Sequence, residues 1–154
     1  MTRKVSQTVR EQASSNLRVK LSIISMFILL TVTGCERSMT IKMDTSNPPT
    51  FRLSGSGRLF FFSVFEVPQG KPSTIDDPKM WEIRPTEENL MSKLPPITYG
   101  AVPKGFTQTI PTTGVPPALV EGKIYEAGGP ALEANGGSIR FTIKDGRAVE
   151  VPQN

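Results

Sequence analysis

Apolar and polar residues alternate along several short stretches of the chain, the pattern of β-strands that bury one face. Residues 39–43 (MTIKM) show it most clearly, and similar short runs recur through residues 50–151. All 14 prolines and 12 of the 13 glycines fall after residue 34, spread between these runs. Many short strands separated by turn residues predict an all-β sandwich or barrel.

Residues 58–67 (RLFFFSVFEV) are unusual because both faces of the predicted strand are apolar. The turn-prone SGSG at residues 54–57 predicts a hairpin between this strand and residues 50–53. The strand is either central, with its outer face covered by the following loop, or it presents an aromatic patch to a partner. The candidate binding aromatics are Phe60, Phe62, Trp81 and Tyr99, although a lone tryptophan in a small sandwich is more often part of the core.

A second hairpin is predicted around Asp145-Gly146, a dipeptide typical of tight turns. A two-residue turn would set Phe141 opposite Glu150. A three-residue loop would set Phe141 opposite Val149 and keep one face of the hairpin apolar, so we expect the second register.

The amino-terminal segment has the pattern of an export signal. Five basic residues and one acidic residue precede the end of an apolar run of 13 residues at 21–33 (LSIISMFILLTVT). This length fits a secretory signal and is short for a bilayer-spanning helix, which needs about 20 residues. A cleaved signal peptide is therefore the preferred interpretation of residues 1–34.

The residues that follow the apolar run resemble the lipobox of bacterial lipoproteins, in which an aliphatic residue and two small residues precede an invariant cysteine. Here these positions are Val32, Thr33, Gly34 and Cys35. The resemblance implies cleavage before Cys35, acylation of its sulfur and anchoring in a membrane. The alternative is that Cys35, the only cysteine of the chain, is an unmodified thiol without a disulfide partner.

Removal of residues 1–34 would change the charge of the chain. The full sequence has 18 basic and 14 acidic residues, whereas residues 35–154 carry 13 of each. The high isoelectric point of the whole chain thus comes from the signal, and the neutral remainder gives no reason to expect nucleic-acid binding.

A spacing in residues 119–125 (LVEGKIY) resembles the tyrosine corner of fibronectin type III and immunoglobulin-like domains. Leu119, Gly122 and Tyr125 occupy its three positions. The resemblance implies that the tyrosine hydroxyl bonds to the backbone a few residues upstream. We therefore expect a single antiparallel β-sandwich of about seven strands, Ig/fibronectin III-like, over residues 39–154, after a lipidated cysteine and short tether at 35–38.

The candidates for chemistry are few. Histidine is absent from the sequence, and Cys35 is committed to lipid if the lipobox interpretation holds. The carboxylate pairs Asp76-Asp77 and Glu87-Glu88 do not have the spacing of a calcium loop, and adjacent residues of a strand point to opposite faces. The sequence therefore predicts no catalytic residue, metal site or cofactor, and an envelope hydrolase is the weakest of three hypotheses.

The two stronger hypotheses share a location at the bacterial cell envelope. The first is a lipid-anchored, non-catalytic interaction or assembly module with a membrane anchor and a protein partner in the envelope. The second is a module that binds envelope glycan or another small ligand through exposed aromatics and loops. The sequence leaves the inner and outer membranes equally open.

Overall fold

The computed structural model describes residues 38–68, 74, 77–87 and 90–152 of the chain. Residues 1–37, which include the predicted signal and the motif ending at Cys35, lie outside this part. Within it the strands are β1 (Met39–Met43), β2 (Thr50–Gly55), β3 (Arg58–Leu59), β4 (Phe62–Glu66), β5 (Lys79–Pro85), β6 (Ile97–Thr98), β7 (Phe106–Ile110), β8 (Ile124–Gly129), β9 (Ala131–Leu132), β10 (Gly137–Lys144) and β11 (Arg147–Glu150), with a 3₁₀ helix at Met91–Lys93.

The strands form antiparallel sheets. The order is β11-β10-β8-β4-β5-β7 in a six-stranded sheet and β1-β2-β6 in a three-stranded sheet, while β3 and β9 form a small ribbon. The prediction of an all-β chain with antiparallel sheets is confirmed, and the arrangement is consistent with a β-sandwich. The described part has eleven strands instead of about seven, because several are only two residues long. No helix in it is long and apolar enough to cross a membrane.

Aromatic side chains join the two larger sheets. Phe51 of the three-stranded sheet lies with its ring centroid 5.2 Å from Phe62 and 5.7 Å from Phe141 of the six-stranded sheet. Trp81 and Tyr125 are also fully buried in this core. Aromatic rings at these separations add to the stability that burial of apolar area provides. The core therefore lies between the sheets.

Strand β1 behaves as its sequence pattern predicts. Met39 is buried, whereas Thr40 and Lys42 are exposed. The strand pairs with β2 from Met39 opposite Gly55 to Met43 opposite Phe51. Period-two alternation predicts this strand correctly because only one of its faces meets the core.

The hairpin expected from the SGSG turn is wrong. Strand β2 pairs with β1 and β6, whereas β4 pairs with β5 and β8, so the chain passes from one sheet to the other. Two glycines permit close contacts in this passage. A Cβ on Gly55 would lie 2.2 Å from the Ser38 carbonyl oxygen, and one on Gly57 would lie 2.4 Å from that of Leu132.

The preferred register of the second hairpin is also wrong. Strands β10 and β11 pair with Phe141 opposite Glu150. Asp145 and Gly146 have φ values of 52° and 71°, which are the two left-handed positions of a type I′ two-residue turn. The core contact of β11 comes from Ala148, which is fully buried.

Strand β10 connects two ends of the folded domain. The Ser38 end is where the chain enters β1, and there the Met39 N–H donates a hydrogen bond to the Asn135 carbonyl. Strand β10 begins at this end with Gly137 and runs to Lys144. The opposite end, with the turn at Asp145, is called the Asp145 end.

Candidate functional site

Strands β4 and β5 are central in the six-stranded sheet and place alternate side chains on its two faces. Phe62, Trp81 and Ile83 point into the core. Ser63 and Glu82 are opposite each other in the register and lie on the other face, which we call the outer face. Both are almost completely buried, so this polar pair is not part of an ordinary solvated surface.

Glu82 is the centre of a charged cluster on the outer face. Its side chain is 2% exposed, and its carboxylate accepts hydrogen bonds from Lys79 Nζ at 2.5 Å, Arg84 Nε at 2.9 Å and Thr109 Oγ1 at 2.8 Å. Burial alone would raise the pKa of Glu82, but these three hydrogen bonds and the charge of Lys79 together lower it below the ordinary value. One carboxylate thus meets two cations, which leaves one positive charge in excess.

Two phenylalanine rings lie beside these cations. Lys79 Nζ is 4.2 Å from the ring centroid of Phe61, and the Arg84 guanidinium is 5.5 Å from that of Phe60 and 5.6 Å from that of Phe61. Such distances are those of cation–π contacts. The arrangement joins a positive charge to aromatic surface on one side of the sheet.

An open cavity of about 330 Å³ adjoins Phe61 on the outer face. Ser63, Glu126 and Ser138 contribute polar atoms, and Phe61 and Phe65 contribute aromatic walls. Glu126 accepts a hydrogen bond from Arg140 Nε at 2.9 Å. A pocket of this volume with aromatic walls and a few polar groups has the chemistry of a small-ligand site.

A second cavity, of about 300 Å³, lies at the Asp145 end beside Tyr99, and prolines 48, 116 and 117 contribute to its lining. The Tyr99 hydroxyl donates a hydrogen bond to the Pro117 carbonyl at 2.8 Å. Burial, and to a smaller extent Tyr125, raises the pKa of Tyr99 to about 12. Tyr99 therefore keeps its proton at neutral pH and serves to fix the proline segment.

The segment before β8 and the start of that strand contain the three tyrosine-corner positions, Leu119, Gly122 and Tyr125. The Tyr125 hydroxyl accepts a hydrogen bond from the Val120 N–H at 2.7 Å, and the Gly122 N–H donates one to the Ile143 carbonyl. Leu119 packs against the core. This is the kind of upstream backbone contact that the tyrosine-corner resemblance implies.

The structure separates the four candidate aromatics. Phe62 and Trp81 are fully buried, so their rings are not open to a ligand, and only 6% of Tyr99 is exposed beside its cavity. Phe60 is 48% exposed. Phe60 and Phe61 lie on the same side because β3 ends at Leu59 and β4 begins at Phe62, which breaks the expected alternation.

Sequence analysis missed Glu82, Lys79 and Arg84. The available signal was the polar Glu82 between apolar Trp81 and Ile83, matched by Ser63 within an aromatic run. Val32, Thr33, Gly34 and Cys35 lie outside the described residues. Among the residues that are described, no group of three or more histidine, cysteine, aspartate or glutamate side chains is arranged to hold a metal ion.

Comparisons with protein-family models, with curated proteins and with solved structures found no match to this chain.

Proposed function

We propose that the chain is a lipid-anchored lipoprotein of the bacterial cell envelope that acts as a non-catalytic interaction or assembly module. The observation that carries the proposal is the start of the folded domain. Ser38 already bridges to Asn135 and Met39 begins β1, so only residues 36 and 37 separate Cys35 from the sheet structure. An acylated cysteine at that position would hold the domain directly at a membrane surface.

The domain in this proposal is of the immunoglobulin/fibronectin III type. Two observations support it. The three-stranded sheet β1-β2-β6 packs through Phe51 on the six-stranded sheet β11-β10-β8-β4-β5-β7, as two antiparallel sheets do in such a sandwich. Tyr125 stands at the second position of β8 and bonds to Val120, as a tyrosine corner requires.

The Asp145 end supplies the surface that we assign to a protein partner. Val115 is 82% exposed, and Val120 and Ile124 are also exposed. Val115 and Leu119 both line the cavity beside Tyr99, which places this apolar segment next to a preformed recess. Apolar side chains around a recess are typical of protein interaction sites.

Affinity purification of the full chain from gently solubilised membranes tests the module. We expect a reproducible protein partner with the wild type, retention of that partner by Lys42→Ala, and its loss in Val115→Asp. A partner that Val115→Asp retains would place the interface elsewhere. Lipid labelling of wild type and Cys35→Ser tests the anchor, and equal labelling of the two chains would exclude it.

The outer-face cavity favours a second candidate function, the binding of an envelope glycan or another small ligand. Phe61 and Phe65 contribute apolar walls, and Ser63 and Glu126 offer hydrogen-bonding groups. Calorimetric titration with peptidoglycan fragments and polysaccharide tests it. Phe61→Ala should abolish binding, whereas Phe60→Ala, a neighbouring ring outside the cavity lining, should preserve it. Absence of heat with the wild type would reject this candidate.

A further inference from the structure

Two leucines flank Arg58 in the ribbon, and an exposed phenylalanine follows it two residues along the chain. Arg58 pairs with Leu132 in the ribbon and with Leu90 through an isolated antiparallel bridge on its other side. Residues directly opposite each other in antiparallel pairs project to the same face. Phe60, two residues after Arg58, lies on that side as well. We call Phe60, Leu90 and Leu132 the Leu132 patch.

The Leu132 patch faces outward. Leu59, which follows Arg58 and therefore projects to the opposite side, is buried in the core opposite Ala131. Phe60 and Leu90 are each 48% exposed, and Leu132 is 40% exposed. Arg58, which lies between Leu90 and Leu132, pairs with the exposed Glu133. Exposed apolar side chains beside such charged groups are typical of surfaces that lie in the headgroup layer of a membrane.

The patch lies beside the point where the chain enters the domain. Ser38 bridges to Asn135, three residues after Leu132. The turn before Arg58 closes the gap between them, since Gly55 packs on the Ser38 carbonyl and Gly57 on the Leu132 carbonyl. Cys35 is three residues before Ser38, a distance of at most about 10 Å along the chain.

We propose that the Leu132 patch inserts into the interface of the lipid bilayer in which Cys35 is acylated. This inference rests on the proposed lipid anchor and adds the orientation of the domain on the membrane. The bilayer is the apolar phase nearest to the patch, because the tether is too short to carry the Ser38 end away from it. The Arg84 guanidinium, 5.5 Å from the Phe60 ring centroid, has the aromatic and cationic pairing that suits the headgroup layer.

Site-specific fluorescence on the acylated full chain tests the contact. Cys35 is the only cysteine, and its acylated sulfur does not react with thiol probes. Phe60→Cys, Leu132→Cys and, as a control at the Asp145 end, Val115→Cys are labelled with an environment-sensitive dye. The proteins are reconstituted in phosphatidylethanolamine and phosphatidylglycerol vesicles with or without doxyl-labelled lipid. Flotation first measures vesicle association, and thermal melting checks the fold of each variant.

We expect doxyl lipid to quench the probes at positions 60 and 132 at least about twofold more than the probe at position 115. Equal quenching at all three positions in proteins that float with the vesicles would overturn the membrane contact and leave the anchor intact. A blue-shifted probe at 132 that doxyl lipid does not quench would show a protein surface on the patch and would also overturn it. Failure of the wild type to float would overturn the anchor and the contact together.

Discussion

The Tyr125 hydroxyl accepts a hydrogen bond from the Val120 N–H at 2.7 Å and links the start of strand β8 to the segment that precedes it. Tyr125 is fully buried, whereas Val120 is exposed. The contact therefore ties a surface segment to the core at one point. It also keeps the exposed apolar residues after Gly114 close to the sheet.

Removal of this contact should loosen the segment. Tyr125→Phe deletes the hydroxyl and leaves the Val120 N–H without its partner, which should lower the free energy of unfolding by about 1–2 kcal/mol. Hydrogen exchange of the Val120 amide should accelerate in Tyr125→Phe. In Thr86→Val, which loses a hydroxyl contact with the Gly105 carbonyl outside this segment, the Val120 amide should exchange at the wild-type rate. Equal exchange in all three proteins would contradict the role of Tyr125.

The buried carboxylate of Glu82 should be important for stability. Glu82→Ala removes the buried anion and the three hydrogen bonds that it accepts, two of them from cations, which should cost about 2–3 kcal/mol. Chemical denaturation measures the change. Glu66→Ala, which breaks the solvent-exposed pair with Lys123, is the control and should change stability little. Similar losses in the two variants would refute a special role for Glu82.

The same carboxylate predicts a loss of stability in acid. The folded chain lowers the pKa of Glu82 below its ordinary value of 4.5, so the unfolded chain binds the proton at a higher pH than the folded chain. The contribution of the Glu82 carboxylate to stability is complete above pH 4.5 and disappears as the pH falls through the lowered pKa. Urea unfolding at a series of pH values should show that the free energy of unfolding falls less in acid for Glu82→Gln than for the wild type. Parallel curves would argue against this linkage.

Gly129 should tolerate no side chain. A Cβ there would lie 2.0 Å from the Phe61 carbonyl oxygen, so strands β4 and β8 would have to separate. We expect Gly129→Ala to lower the free energy of unfolding by about 3 kcal/mol, the upper range for overpacking. Gly146→Ala is the control: it has φ of 71° but open space around it, and should lose only about 1 kcal/mol. Denaturant titration that finds the same loss for both would disprove the steric argument.

The sequence predicted those features that depend on neighbouring residues. Alternation identified β1, and Asp145-Gly146 identified the turn between β10 and β11. The register of that hairpin was mispredicted because the apolar Val149 was assigned to the core, whereas β11 is an edge strand and needs only Ala148 there. The positive φ angles favoured by Asp-Gly determined the register more strongly than the apolar pattern did.

The features that sequence analysis missed depend on contacts between distant residues. The strand that contains Phe62 pairs with β5 and β8, and the SGSG turn that precedes it does not determine this pairing. Strict alternation would place Phe60 and Phe62 on the same face. The break in alternation between Leu59 and Phe62 places Phe60 on the opposite, exposed side, and no local sequence pattern predicts this break. The cluster of Glu82 with Lys79 and Arg84 was likewise hidden, since its burial requires the covered outer face of the assembled sheet.

The length of strand β10 gives the distance between the Ser38 end and the Asp145 end of the domain. Its eight residues run from the Ser38 end towards the Asp145 turn, and at about 3.3 Å per residue they span about 26 Å. For a domain held at Cys35 with the Leu132 patch in the bilayer, the apolar residues around Val115 stand above the headgroups by roughly this distance. Under the proposed anchor and patch contact, a membrane protein that binds these residues would have to project equally far from the bilayer.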